Sequence, residues 1–119
     1  MIIRNYEDIE AVELMEGVRK RVVIGDNEGA PNFIMRIFDL NPGVSSPHHA
    51  HPWEHEVFVL NGEAVVKDDL DGETPIKEGD TIFIPANEKH CLINKGEDIF
   101  RFICLIPAGV KETEAQNVQ

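Results

Sequence analysis

Gly43-Val44-Ser45-Ser46-Pro47-His48-His49-Ala50-His51-Pro52-Trp53-Glu54-His55 gathers four of the five histidines of the chain into one short run. In an extended backbone, side chains alternate between faces, so His49 and His51 share one face while His48 and Ala50 take the other. Pro52 and Trp53 then interrupt any regular ladder, and His55 enters an apolar strand on the face of Val57 and Val59. His90, which opens the run His90-Cys91-Leu92-Ile93 after a turn at Pro85-Ala86-Asn87-Glu88-Lys89, supplies an imidazole from another segment. One histidine on an apolar face is usually a hydrogen-bonded core residue. Several buried together compete for few partners, at about 1–3 kcal/mol for each group left unsatisfied. His49, His51, His55 and His90 are therefore expected to hold one divalent transition metal ion, with His48 outside the set by parity.

Away from this run the pattern is that of an all-β chain. β-branched and aromatic runs recur between Gly, Pro, Asn and Asp, and few windows carry apolar residues at helical spacing. Strands are expected at residues 18–24, 32–40, 55–60, 64–67, 81–84, 90–93 and 99–106, with a weaker one at 73–76, a spacing that suits a sandwich or barrel. Asn61-Gly62 reads as a tight hairpin, and residues 68–73 as a solvated hairpin tip, since they lack the ligand spacing of a calcium loop. Residues 5–16 place Ile9, Val12 and Met15 near helical spacing over too short a stretch to choose between a helical turn and an extended arm. Residues 108–119, rich in Gly, Lys, Glu, Gln and Asn, are expected to fray beyond a single domain of residues 1–107.

Composition narrows the partners. A length of 119 residues with 42% hydrophobic content fits one domain with a modest core. Acidic residues number 22 against 11 basic ones, and the resulting charge of -11 repels phosphate backbones and anionic lipid, which argues against nucleic acid and membrane partners. Arg19-Lys20-Arg21 lies within a strand-like run and reads as solvating one face. The amino terminus carries charge where a secretory signal needs apolar residues. Cys91 and Cys104 are too few for a disulfide framework, so a cytoplasmic location with two free thiols is expected.

The spacing of these residues resembles the cupin family, whose first motif is G-x5-H-x-H-x3,4-E-x6-G and whose second is G-x5-P-x-G-x2-H-x3-N. Gly43, His49, His51 and Gly62 match the first, and Gly79, Pro85, His90 and Asn94 match the second. Asn87 stands where the second motif has glycine, in a turn whose positive φ asparagine tolerates. His55 stands where the first motif has its glutamate ligand. Glu56 could satisfy the longer spacing, but its distance to Gly62 and its strand parity favour His55. The chain thus resembles small single-domain cupins with an all-histidine site. That resemblance implies a double-stranded β-helix of jelly-roll type, a manganese ion and a homodimer. Donor chemistry alone leaves the metal open, because imidazole suits iron, nickel, copper and zinc while manganese prefers oxygen.

Each ligand must be a neutral imidazole, so loading is expected to fail as pH falls through the histidine range near ~6.5. With no anionic ligand, the ion keeps its double charge and favours an anionic co-ligand. Leu92 shares a face with His90, and the row Phe100, Phe102, Cys104, Ile106 is expected to face inward because the alternate row contains Arg101. Leu92, Phe102 and Cys104 are thereby expected to line an apolar small-molecule pocket, Cys104 as lining and not as ligand. Arg36 is either a rim residue reaching water or an anion clamp at the pocket. No serine or cysteine is tied by spacing to a base, so no catalytic residue can be named. Three functions suit this chemistry. The first is a metal-dependent oxidoreductase of dioxygenase type, which the resemblance supports; the others are a metal-dependent isomerase or lyase and a non-catalytic module that binds or senses a small ligand.

Overall fold

Along Phe100–Pro107, buried and half-buried residues alternate without a break, Phe100, Phe102, Cys104 and Ile106 being the buried set. That period of two is the signature of a strand with one face in a core, and it recurs through the chain. The computed structural model describes residues 1–110 and 116–117. Its strands are β1 (Val12–Met15), β2 (Val18–Ile24), β3 (Phe33–Leu40), β4 (His49–Ala50), β5 (His55–Asn61), β6 (Glu63–Lys67), β7 (Glu73–Lys77), β8 (Thr81–Ile84), β9 (Cys91–Ile93), β10 (Phe100–Pro107) and β11 (Gln116–Asn117).

Six of them form one sheet in the order β1-β2-β3-β10-β5-β8, and three form a second in the order β7-β6-β9. Every described pairing is antiparallel. Residues 44–50 extend the second sheet through the bridges Ser45↔Ile93 and His49↔His90, and β11 pairs with β4 beyond them. Leu40, Val57, Val59, Phe100 and Phe102 of the larger sheet meet Ala64, Ile76 and Leu92 of the smaller one in a single core. Asn94 joins the layers. It is fully buried, and its Nδ2 donates to Leu40 O and Asp98 O, each at 2.9 Å, while its Oδ1 accepts from Gly96 N at 2.9 Å.

Asn61-Gly62 is not a hairpin. β5 pairs with β10 and β8, whereas β6 pairs with β7 and β9, so the turn carries the chain from one sheet to the other. Gly62 has φ +87°, and a Cβ there would lie 2.6 Å from Ile99 O. Asn61 Nδ2 donates to the same carbonyl at 2.8 Å, which anchors the corner. Residues 5–16 hold a 3-10 turn at Tyr6–Asp8 followed by β1, combining the two conformations left open by the sequence. Most of the expected tail lies outside the described residues; within it, Gln116 pairs with Ala50 and Asn117 with His49.

Nor does Arg19-Lys20-Arg21 simply solvate one face. Arg19 donates to Asn41 Oδ1 at 3.2 Å, and Arg21 pairs with Asp39 at 3.5 Å. Alternation sends Lys20 the other way, to the wall of an internal cavity. Burial pushes the Asp39 carboxyl up, but Arg101, bonded to both its oxygens at 2.7 and 2.9 Å, together with the Arg21 and Arg19 charges, brings it below the usual carboxylate range. Among the described residues, no helix is long and apolar enough to cross a membrane.

Replacing Gly62 by alanine forces a Cβ against a backbone carbonyl at a positive φ, and is predicted to destabilise the chain by at least about 1–3 kcal/mol. Urea unfolding measures this, and an unchanged midpoint would contradict the corner assignment.

Candidate metal centre

His49 and His90 are direct cross-strand partners: His49 N donates to His90 O at 3.0 Å and His90 N to His49 O at 2.9 Å. Opposed residues of an antiparallel pair carry their side chains on one face, so the two imidazoles stand side by side. His51 follows His49 by two residues onto that face, and His55 opens β5 on the opposing sheet. Ring centroids are 4.4 Å apart for His51 and His55, 4.9 Å for His49 and His90, 5.1 Å for His49 and His51, and 5.2 Å for His90 with either His51 or His55. One nitrogen from each ring lies within 4.8 Å of the others.

The outer nitrogens set which ring atoms can bind an ion. His51 Nδ1 donates to Trp53 O at 2.8 Å, and His90 Nδ1 donates to Glu88 O at 2.8 Å. A carbonyl only accepts, so the proton resides on Nδ1 and leaves Nε2 with a lone pair. His55 Nδ1 faces Cys104 Sγ at 3.0 Å, and that sulfur also accepts from Arg36 Nη2 at 3.1 Å. His51 Nε2 and His55 Nε2 approach to 2.6 Å. Two lone pairs aimed at each other over that distance repel unless a proton or a cation lies between them. A divalent metal suits this donor set, which contains no carboxylate among the described residues. Trp53 stacks on His51 with centroids 4.2 Å apart and an interplanar angle of 7°, fixing the ring from the side.

Burial keeps the cluster neutral. It lowers His49 to about 4, with the neighbouring His90 and His51 adding to the effect, and lowers His55 to about 2, with Arg36 next in importance. His51 and His90 are lowered by burial too, against the opposing pull of their carbonyl partners.

The cluster forms part of the wall of a cavity of about 230 Å³. Leu92, Phe102, Cys104 and Arg36 all line it. Arg36 is 8% exposed and its guanidinium sits 4.9 Å from the Phe38 ring centroid, so it is an interior residue and not a rim residue reaching water. His48 lies outside the four-ring cluster, and Glu56 is exposed on β5. Several lining residues escaped the sequence reading, Lys20 and Trp53 among them. Strict alternation between Arg19 and Arg21 would have turned Lys20 inward; nothing local distinguishes Trp53 from a turn residue. A more open groove of about 440 Å³, edged by Glu63, Lys77, Asp80 and Lys95, contains no histidine and offers no comparable donor set.

Two outcomes follow from this geometry. The lowered imidazoles stay neutral in the folded chain while unfolded ones take protons near their ordinary value of 6.5. Stability from this source is therefore complete above about 6.5 and is lost as pH falls through His49's value of about 4 and on toward His55's value of about 2. Thermal unfolding of metal-free protein across that range measures the decline, and a flat profile from pH 7 to 4 contradicts it. Replacing Cys104 by alanine frees His55 Nδ1 from its sulfur contact and is expected to weaken zinc binding by about 10–100-fold in a chelator competition. Unchanged affinity would remove the sulfur from any role in orienting the ring.

Comparison with known proteins agrees with this architecture. A match of 37% identity over 68 residues, 56% of the chain, links it to the oxalate-binding protein of Thermotoga maritima. Another of 28% identity over 97 residues, 76% of the chain, links it to a gentisate 1,2-dioxygenase of Haloferax sp.. The chain spans 55% and 27%, respectively, of those relatives' own lengths. Among solved structures, the polyketide cyclase RemF of Streptomyces resistomycificus superposes with a TM-score of 0.89 at 28% identity, covering 100% of this chain and 86% of that one. Residues 36–106, more than half of the sequence and the stretch that carries all four clustered histidines, match the cupin domain, and the chain belongs to the cupin family.

Proposed function

We propose that this chain is a metal-dependent enzyme that activates a small, oxygen-rich molecule by drawing negative charge onto an enolate-type oxygen. The observation that carries this reading is the composition of the cluster: four neutral imidazoles and, among the described residues, no carboxylate. A divalent ion bound there retains its full charge and supplies Lewis-acid stabilisation of a developing oxyanion.

The chain's own residues do the rest. His51 and His90 hold their protons at Nδ1, against Trp53 O and Glu88 O, and so present Nε2 inward. Phe38, Val57 and Phe102 make the walls apolar and exclude water, which strengthens every electrostatic contact inside. The full-length likeness to a polyketide cyclase supports an enolate chemistry of this kind.

A second reading, a dioxygenase-type oxidoreductase, is favoured by the relationship to a gentisate 1,2-dioxygenase. The two readings separate experimentally. Zinc-loaded chain is expected to accelerate hydrogen–deuterium exchange at the carbon between the two carbonyls of a β-keto ester, followed by proton NMR, with no oxygen consumed. Substrate-dependent oxygen uptake by iron- or manganese-loaded chain, with exchange at the buffer rate in the zinc form, would overturn the first reading in favour of the second. Ligand binding without either activity would leave a binding module.

A further inference from the structure

We propose that Trp53 is the specificity-determining donor of the cavity: its indole N–H takes the second oxygen of a small aryl β-dicarbonyl whose first oxygen sits on the ion held by the imidazole cluster. The inference rests on the metal-centred reading and deepens it by naming the substrate class; the indole contact and the ion give separate signals.

Trp53 follows Pro52 in the segment between β4 and β5 and touches His51 twice. Its carbonyl accepts from His51 Nδ1 at 2.8 Å, and its ring lies parallel to the imidazole, 7° off, with centroids 4.2 Å apart. The carbonyl leaves His51 Nε2 free to bind an ion, and the stack sets the indole one ring-thickness from the plane containing that nitrogen. An ion on Nε2 lies in the imidazole plane, and an indole N–H lies in the plane of its own ring. The donor therefore belongs to the layer beside the ion. A ligand that meets both needs two oxygens close together, as on the three-carbon frame of a β-dicarbonyl.

A buried donor needs an acceptor. Trp53 is 7% exposed and lines the cavity, and its Nε1 has no hydrogen-bond partner among the described residues. Phenylalanine would supply a stacking ring without burying that donor, so the indole is a cost to the fold unless a ligand oxygen meets it. A site with such a donor discriminates against ligands lacking the matching oxygen, because they leave it unpaired. Phe38 and Phe102 stack on the cavity wall at 5.2 Å and 12°, a flat apolar surface for an aryl group, and Val57 and Leu92 extend it. The volume of about 230 Å³, below the ~300–1,000 Å³ of most small-molecule sites, limits the body to roughly one ring.

Trp53 is the only tryptophan in the sequence, so the full chain, isotopically labelled at nitrogen and loaded with zinc, gives one indole N–H cross-peak by NMR. The probes are benzoylacetone and butyrophenone, which share the aryl ring and differ by one carbonyl. Benzoylacetone is expected to move the indole proton downfield and to slow its exchange with deuterium, while butyrophenone does neither. In calorimetric titrations, Trp53→Phe, which keeps a stacking ring and removes the N–H, is expected to weaken benzoylacetone by about three- to tenfold and butyrophenone by less than about twofold. Should Trp53→Phe fail to fold, the cross-peak of the unaltered chain decides. An unmoved cross-peak at saturating benzoylacetone, equal losses for the two probes, or no binding of benzoylacetone would each overturn the proposal. Zinc content, measured separately in every sample, tests the metal-centred reading alone.

Discussion

Four imidazole nitrogens turned toward one point are the constraint around which this barrel is arranged. A direct backbone pair brings His49 and His90 together, alternation adds His51, and β5 delivers His55 from the facing sheet. None of these placements alone fixes a ring. Orientation comes from outside the cluster, through Trp53 O, Glu88 O and Cys104 Sγ, each holding an Nδ1. The cost of gathering four desolvated nitrogens is borne by the core behind them, where Phe100, Leu40 and Val59 are almost wholly removed from water.

Electrostatics divides the molecule into an outside and an inside. The chain carries a charge of -11, yet its internal cavity is lined by neutral imidazoles, Lys20 and Arg36. The Asp39–Arg101 pair, backed by Arg21, belongs to the opposite side of β3, so one strand serves a structural ion pair on one face and the cavity on the other.

Much of this was legible in the sequence. The histidine spacing and the period-two runs sufficed for the β architecture, because a strand's alternation is a local property that survives folding. Parity likewise placed Leu92, Phe102 and Cys104 on the cavity wall. What local pattern could not supply was sheet membership. Asn61-Gly62 has the chemistry of a hairpin, but whether two strands pair or part at a turn depends on contacts distant in sequence, here the close approach of Gly62 to Ile99 O. Lys20 was obscured by its basic neighbours, and Trp53 by the proline before it. Arg36 stayed ambiguous because depth in a barrel is a tertiary quantity.

The central claim is that the four rings share one ion. X-ray absorption at the metal edge, on the full chain loaded in solution with one equivalent of zinc, tests it most directly. The account predicts a first shell containing four imidazole nitrogens near 2.0–2.2 Å, approximately, with the outer-shell scattering of intact rings. A shell dominated by oxygen or sulfur, or one with two imidazoles or fewer, would contradict it.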